Sequence, residues 1–511
     1  MPSHTVAPFP AELLAAKKQI REQARSYGLD FFPVIFEMCD WEQMNQLAAY
    51  GGFPTRYPHW KWGMEYEKLR KQHHYGLGRI YEMVINNDPC YAYLQESNQF
   101  VDQKLVIAHV YGHADFFKHN LWFSQTNRKM MDEMANHATR VRRYIEVHGQ
   151  DVVENWLDVC LSVEDLIDPH SMFLNRGPSD DAVQQPKREE NLVTKFKSKE
   201  YLDRWINPKE KLQAEAKKLR ADAAKMRHAT PSRPTRDVLQ YLLQHARLDD
   251  WQADMLSMIR EEAYYFAPQG MTKVMNEGWA SFWHSTLMTK HFVEAKEVID
   301  YADHHSGTVH MPPGGFNPYK IGIEMFRDIE DRWNKGKFGK DYDESDNLGE
   351  KKKWDKGLGL GREKIFEVRR IYNDVQFIDE FMTPEFIDKH KFYQYGRDPH
   401  TGQLRIVSRD PVRIKQTLLY QLTNLGRPFI FVCDGNYSNR GELYLAQKHN
   451  GQDIEIKYAT ETLKNVYRIW RRPVHLQAKI DDENILFSYD GSQPKQQTIH
   501  DDLPKPAHMV G

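Results

Sequence analysis

At 511 residues the chain is longer than one hydrophobic core usually organises, so two or more domains are expected. A content of 40% hydrophobic and 12% aromatic residues supplies a packed interior and excludes an intrinsically disordered chain. Lys and Arg number 70 against 72 Asp and Glu, and the net charge of -2 excludes a global field drawing the protein to nucleic acid or an anionic membrane.

The four cysteines, Cys39, Cys90, Cys160 and Cys433, lack CxxC spacing, which argues against a disulfide framework and a thiolate zinc site and fits a reducing compartment. No apolar run reaches the roughly 18 residues of a membrane span, and the expectation is a soluble cytoplasmic protein with no membrane insertion. Residues 10 to 175 are mostly helical in period. One strand is expected in "EMVINNDPCYAYLQESN", just before a helix that begins near Val101. Residues 176–235 read as a charged inserted arm of loop, exposed helix and loop, most simply a solvated surface.

Helical patterning resumes at "DVLQYLLQHARLDDWQADMLSMIREEAYYF" and continues through "MTKVMNEGWASFWHSTLM". A Pro/Gly loop, a helix ending near Trp333, the flexible turn "GLGLG" and an alternation of helix and turn to Phe386 follow. Beyond residue 391 the rhythm is β-α-β-β-α-β-β, with Asp410 as N-cap and Pro411 at the first helical position. The expected domains are therefore 1–390, 391–490 as a small α+β domain, and 491–511 as a loose tail.

In "VIAHVYGHADFFKHN" the histidines His109 and His113 stand four apart, so one helix face can turn both imidazoles to a single metal. Among 23 histidines such a pair arises by chance, and two core histidines making hydrogen bonds is the plainer reading. Glu277, in "VMNEGWASFWH", is a carboxylate among Trp279, Phe282 and Trp283, where an unpaired charge is costly; it reads as an ion-pair partner or a ligand.

"VIAHVYGHADFF" followed by "NEGWASFW" resembles the two metal-binding helices of the gluzincin zinc aminopeptidases. That resemblance implies a zincin-like core with His109, His113 and Glu277 as a His₂Glu set for a divalent metal, zinc as first choice, and places the strand at "PCYAYL" as the edge strand beside substrate. Two departures stand out: Val110 replaces the general-base glutamate, and 163 residues separate His113 from Glu277 where the peptidases have about eighteen.

Across nearly the whole chain, "YPHWKWG", "INNDPCYAYL", "AHVYGHADFFKHN", "MNEGWASFWH", "FNPYKIG" and "IYNDVQFIDEFMTPEF" resemble the stage V sporulation protein R (SpoVR) family, whose members also lack the peptidase glutamate. The resemblance implies a cytoplasmic bacterial protein linked to spore cortex formation, or in non-spore-formers to stress responses beside a PrkA-type protein kinase.

A site lacking its base needs another. Glu261 and Glu262 are candidates, although surface salt bridging is their ordinary reading. Tyr264, Tyr265 and Tyr319 are candidate oxyanion donors, each more simply a core or loop aromatic. Asn276 and His284 are candidate supports for the ligands. His304, His305 and His310 read as a cleft rim or exposed loop residues. Asp374, Asp379 and Glu380, near Arg369 and Arg370, read as an ion-pair network, or else as a site for a peptide amine or a support behind the ligands.

The expected fold is thus a mainly α N-terminal domain with a gluzincin-like metal-site core plus a small C-terminal α+β domain. The expected function is a SpoVR-type metalloprotein of spore-cortex or cell-envelope biogenesis or stress response, acting through protein partners. An active zinc peptidase or amidase on peptidoglycan-related peptides, and a metal-free scaffold, are the alternatives.

Overall fold

The computed structural model describes residues 9–74, 82–173, 208, 231, 233–398 and 400–500. The arm expected at 176–235 lies almost wholly outside the described residues. The chain divides into two compact units, residues 1–154 with 264–427, and residues 155–263 with 428–511. β4, β5 and α15 (defined below), which the strand rhythm grouped with the C-terminal domain, fall in the first unit.

The first unit begins with α1 (Ala11–Ser26), β1 (Val34–Cys39), α2 (Trp41–Ala49) and α3 (Trp60–His74). It continues with β2 (Glu82–Ile85), β3 (Cys90–Gln95), α4 (Phe100–His119) and α5 (Met130–His148). α6 (Gln150–Leu161), α7 (Val238–His245) and α8 (Asp250–Met271) lead out of it and back. Then come α9 (Lys273–Leu287), α10 (Val298–Val309), α11 (Pro318–Lys335), α12 (Gly361–Ile371), α13 (Asp374–Phe381) and α14 (Pro384–His390). A hairpin, β4 (Gln394–Arg397) and β5 (Leu404–Ser408), precedes α15 (Pro411–Leu422).

Where one strand was expected, the described residues hold three. "EMVINNDPCYAYLQ" folds back on itself through Asp88-Pro89, so β2 pairs antiparallel with β3, while β1 pairs parallel on the other side in the order β1-β3-β2. The strand at "PCYAYL" is therefore central, and the edge position expected for it belongs to β2. β1 escapes periodicity because its six residues "VIFEMC" are too short to separate strand from helix.

α4 is buried without a break from Val101 to Phe117, with polar residues such as Asp102, Lys104 and Asp115 buried among its apolar ones, which is the pattern of a helix enclosed by other elements. It packs against α9, and α9 against α11. Two close approaches set these crossings. A Cβ built on Gly112 would lie 2.7 Å from the Ala280 Cα, and one on Gly278 only 2.4 Å from the Gly322 Cα. Trp279, Trp283, Phe326 and Phe377 fill the surrounding core.

In the second unit the sheet runs β10-β9-β8-β7-β6: β6 (Phe429–Tyr437), β7 (Glu442–Lys448), β8 (Val474–Ile480), β9 (Glu483–Tyr489) and β10 (Lys495–Thr498). β7 and β8 are parallel, joined by α16 (Ile456–Trp470), whose Ala459, Leu463, Val466 and Ile469 are buried at helical spacing. The expected helix-strand order is found here and in the stretch before it, and Asp410 caps α15 by accepting from the Val412 N–H. β10 lies within the stretch read as a loose tail: its polar "KQQT" carries no alternation, and the edge of β9 supplies its pairing. No helix among the described residues is long and apolar enough to cross a membrane.

Candidate functional site

The first unit brings His109 and His113 of α4 against Glu277 of α9, all three buried. Glu277 Oε2 lies 3.4 Å from His109 Nε2 and 3.4 Å from His113 Nε2, and the three donor atoms fall within 4.8 Å of one another. Among the described residues, neither His109 Nε2 nor Glu277 Oε2 finds a hydrogen-bond partner. Buried polar atoms are normally satisfied, so unused lone pairs that face each other need a common partner. Donors about 2.0–2.2 Å from one tetrahedral ion sit about 3.3 Å apart, close to the spacing found, and this donor set fits a divalent cation.

The far side of each donor is held. His113 Nδ1 lies 2.9 Å from Asn276 Oδ1, an acceptor, so Nδ1 carries the proton and Nε2 is left with its lone pair. His109 Nδ1 lies 2.9 Å from His284 Nδ1, and His284 Nε2 lies 3.2 Å from His305 Nδ1. With His109 donating from Nδ1, its Nε2 is likewise free. Glu277 Oε1 accepts from Lys273 Nζ at 2.6 Å, one helical turn earlier, leaving Oε2 to face the imidazoles.

Burial pushes His109 down to about 4, with His113 as a second cause. For His113, burial also works downward, but Glu277 outweighs it and the net shift is upward. Glu277 feels burial pushing upward, and His113, the two imidazole contacts and Lys273 together hold it well below the usual carboxylate range. Burial, joined by His109 and His305, drives His284 well below its ordinary value.

One carboxylate that periodicity did not select stands beside this cluster. Glu82, first residue of β2, has Oε1 4.0 Å from His109 Nε2, and its side chain keeps 19% exposure. Burial pushes it up to about 7. The only signal in the sequence was an acidic residue opening a short strand shortly before the histidine helix.

Tyr319, at the start of α11, is the tyrosine that reaches the cluster. Its phenol lies beside the Glu277 carboxylate, its ring stacks on His109 at 6.1 Å, and burial pushes the hydroxyl upward with Glu277 adding to the effect. Tyr265 is committed elsewhere, donating to the Asn86 carbonyl at 3.0 Å, and Tyr264 is buried. Glu261 and Glu262 belong to the second unit, Glu261 exposed and Glu262 buried. His304 pairs with Asp102 at 2.6 Å, His305 joins His284, and His310 is exposed.

The acidic group near Arg369 does not act as one network. Asp374 accepts the N–H groups of Val274 and Met275 at 2.8 and 2.9 Å, capping α9 just before Asn276 and Glu277. Arg369 pairs with Asp115 at 3.3 Å, Asp379 with Lys415 at 3.3 Å, and Glu380 helps push the Tyr372 hydroxyl upward, while Arg370 is exposed.

Fold and site together define a helix-rich protein with a buried two-histidine, one-carboxylate cluster and a small five-stranded C-terminal domain. Family models make the class specific: residues 9–427 match the SpoVR like protein family and residues 428–481 the SpoVR-like C-terminal domain. The chain belongs to the SpoVR family, a sporulation-related family. The junction of the two matches coincides with the Arg427/Pro428 division between the units. The chain is also similar to a protein of Escherichia coli (strain K12) described as uncharacterized protein YcgB, 30% identical over 508 residues, spanning 91% of this chain and 92% of the relative. No solved structure matches.

Proposed function

We propose that this SpoVR-family protein is a cytoplasmic metalloprotein of spore-cortex or cell-envelope biogenesis or the stress response, holding a divalent cation, zinc as first choice, on His109, His113 and Glu277. It acts through protein partners, a PrkA-type kinase system among them. The observation that carries the metal reading is the buried convergence of His109 Nε2, His113 Nε2 and Glu277 Oε2, with no hydrogen-bond partner among the described residues at the first and last of these atoms. A cation bound there supplies Lewis acidity. Asn276 and His284 fix the imidazole tautomers, and Lys273 turns Glu277 by holding its other oxygen. Elemental analysis of the purified chain tests the reading: about one divalent ion per chain, lost in His113→Ala and Glu277→Ala, is expected, and a folded, metal-free wild type that cannot be loaded refutes it.

A second reading, hydrolysis of a peptide or amide related to peptidoglycan, is favoured by Tyr319, whose phenol lies at the same cluster and can donate to a developing oxyanion. Activity on a broad peptide library, abolished by Glu277→Ala, separates it from a binding role.

A further inference from the structure

We propose that Glu82 is the acid–base residue of this cluster, supplying from a strand what residue 110 of α4 lacks; the proposal rests on the metal and hydrolase readings above. Three geometric facts support it. Glu82 opens β2, an edge strand of the β1-β3-β2 sheet, so its carboxylate reaches the site from a different element than the three donors. Its Oε1 lies 4.0 Å from His109 Nε2, beside the triangle but outside the set of atoms that fall within 4.8 Å of each other. Among the described residues none hydrogen-bonds the Glu82 carboxylate, whereas Glu277 is held by Lys273.

Exposure separates the roles further. The side chains of His109, His113 and Glu277 are 4, 8 and 8% exposed, and that of Glu82 is 19%. A ligand is best enclosed, while a proton carrier must meet water and substrate. Glu82 fits the second description. Val110 has 0% exposure and belongs to the apolar core, so nothing at that position competes for the task.

In the step assigned here, Glu82 Oε1 takes a proton from the attacking water as the water oxygen bonds the amide carbon. The same oxygen then delivers that proton to the leaving nitrogen as the C–N bond breaks. One O–H and one C–N bond are exchanged for one C–O and one N–H bond, and no oxidant or co-reactant is needed.

The test uses the full zinc-loaded chain and its Glu82→Gln variant, which keeps the side-chain shape. Zinc affinity is measured by chelator competition, and acetohydroxamic acid, which presents acidic protons to a neighbouring carboxylate, serves as calorimetric probe. The expected result is zinc affinity within about threefold of wild type and acetohydroxamate binding weaker by about tenfold or more, the scale of one charge-assisted hydrogen bond. Glu82→Asp, with its carboxylate withdrawn by one methylene, should fall between the two and replaces Glu82→Gln if that variant does not fold. Zinc affinity that collapses in Glu82→Gln overturns the proposal by making Glu82 a ligand. Unchanged hydroxamate binding overturns it by making Glu82 a bystander. A zinc-loaded wild type that ignores the probe also overturns it, whereas a wild type that takes no zinc refutes the metal reading itself, a distinct result that needs no variant.

Discussion

Gly112→Ala tests whether helix packing sets the geometry of the cluster. Gly112 lies on α4 between the two histidines in the sense of helix height, and a Cβ there would stand 2.7 Å from the Ala280 Cα and 3.2 Å from the Ala280 Cβ. Ordinary contact begins at 3.4 Å, so α4 and α9 must separate by roughly 0.7 Å, the difference between 3.4 and 2.7 Å. Metal ligands tolerate about 0.2 Å. Overpacking costs about 1–3 kcal/mol, and alanine returns about 1 kcal/mol of helix propensity, so the metal-free chain should lose only about 0–2 kcal/mol. Zinc affinity should fall further, by about tenfold or more, because His109 and His113 ride on one helix and Glu277 on the other. Urea unfolding of the metal-free chain and chelator competition give the two numbers. Gly63→Ala is the control: Gly63 sits in α3 with nothing within 4 Å of a built Cβ, so the change should stabilise slightly and leave zinc affinity alone. Gly112→Ala with wild-type zinc affinity would refute the idea that this contact positions the donors.

His284→Ala removes the ring that meets His109 Nδ1 and is expected to weaken zinc binding about 10–100-fold by competition titration, with His109 still present; unchanged affinity would mean that α4 alone orients the ring. Asp374→Ala strips the acceptor from the N–H groups of Val274 and Met275, both buried, and should lower stability in urea by about 2 kcal/mol or more, with Asp374→Asn recovering part of the loss. Stability equal to wild type would show that water or a neighbouring carbonyl replaces the carboxylate.

Much of this site was legible because its donors lie in two long helical stretches. The spacing of His109 and His113 puts both on one face, and the aromatics around Glu277 mark a buried carboxylate. What closes the site could not be read. Asp374 caps α9 from 99 and 100 residues away, a pairing no local pattern encodes. Glu82 resembles any acidic residue opening a strand until sheet order places β2 at an edge and beside α4. Sheet order was itself hidden, because β1 is short and one apolar stretch split into β2 and β3 at Asp88-Pro89. The strand rhythm after residue 404 was clearer, since Pro411, Gly426 and the turn "DGNYSNRG" punctuate it with residues of fixed backbone preference. Gly112 carried no visible signal: its role is the absence of a side chain where Ala280 passes.

Val110 links the helix packing to the chemistry. One residue past His109 on an α-helix is a turn of about 100°, so side chains at 109 and 110 face different surroundings. His109 meets the donors, while Val110 is fully buried in the apolar core of a helix enclosed on nearly all sides. Restoring the peptidase pattern with Val110→Glu should therefore not restore a base. It should bury a carboxylate among apolar atoms and cost about 3 kcal/mol or more in urea unfolding, with no gain of peptide hydrolysis. The opposite outcome, a variant as stable as wild type that gains hydrolysis, would mean that residue 110 does reach the site and that Glu82 is not needed there. On the packing seen here, valine at 110 belongs to the core that brings α4 against α9, and the proton chemistry falls to the strand.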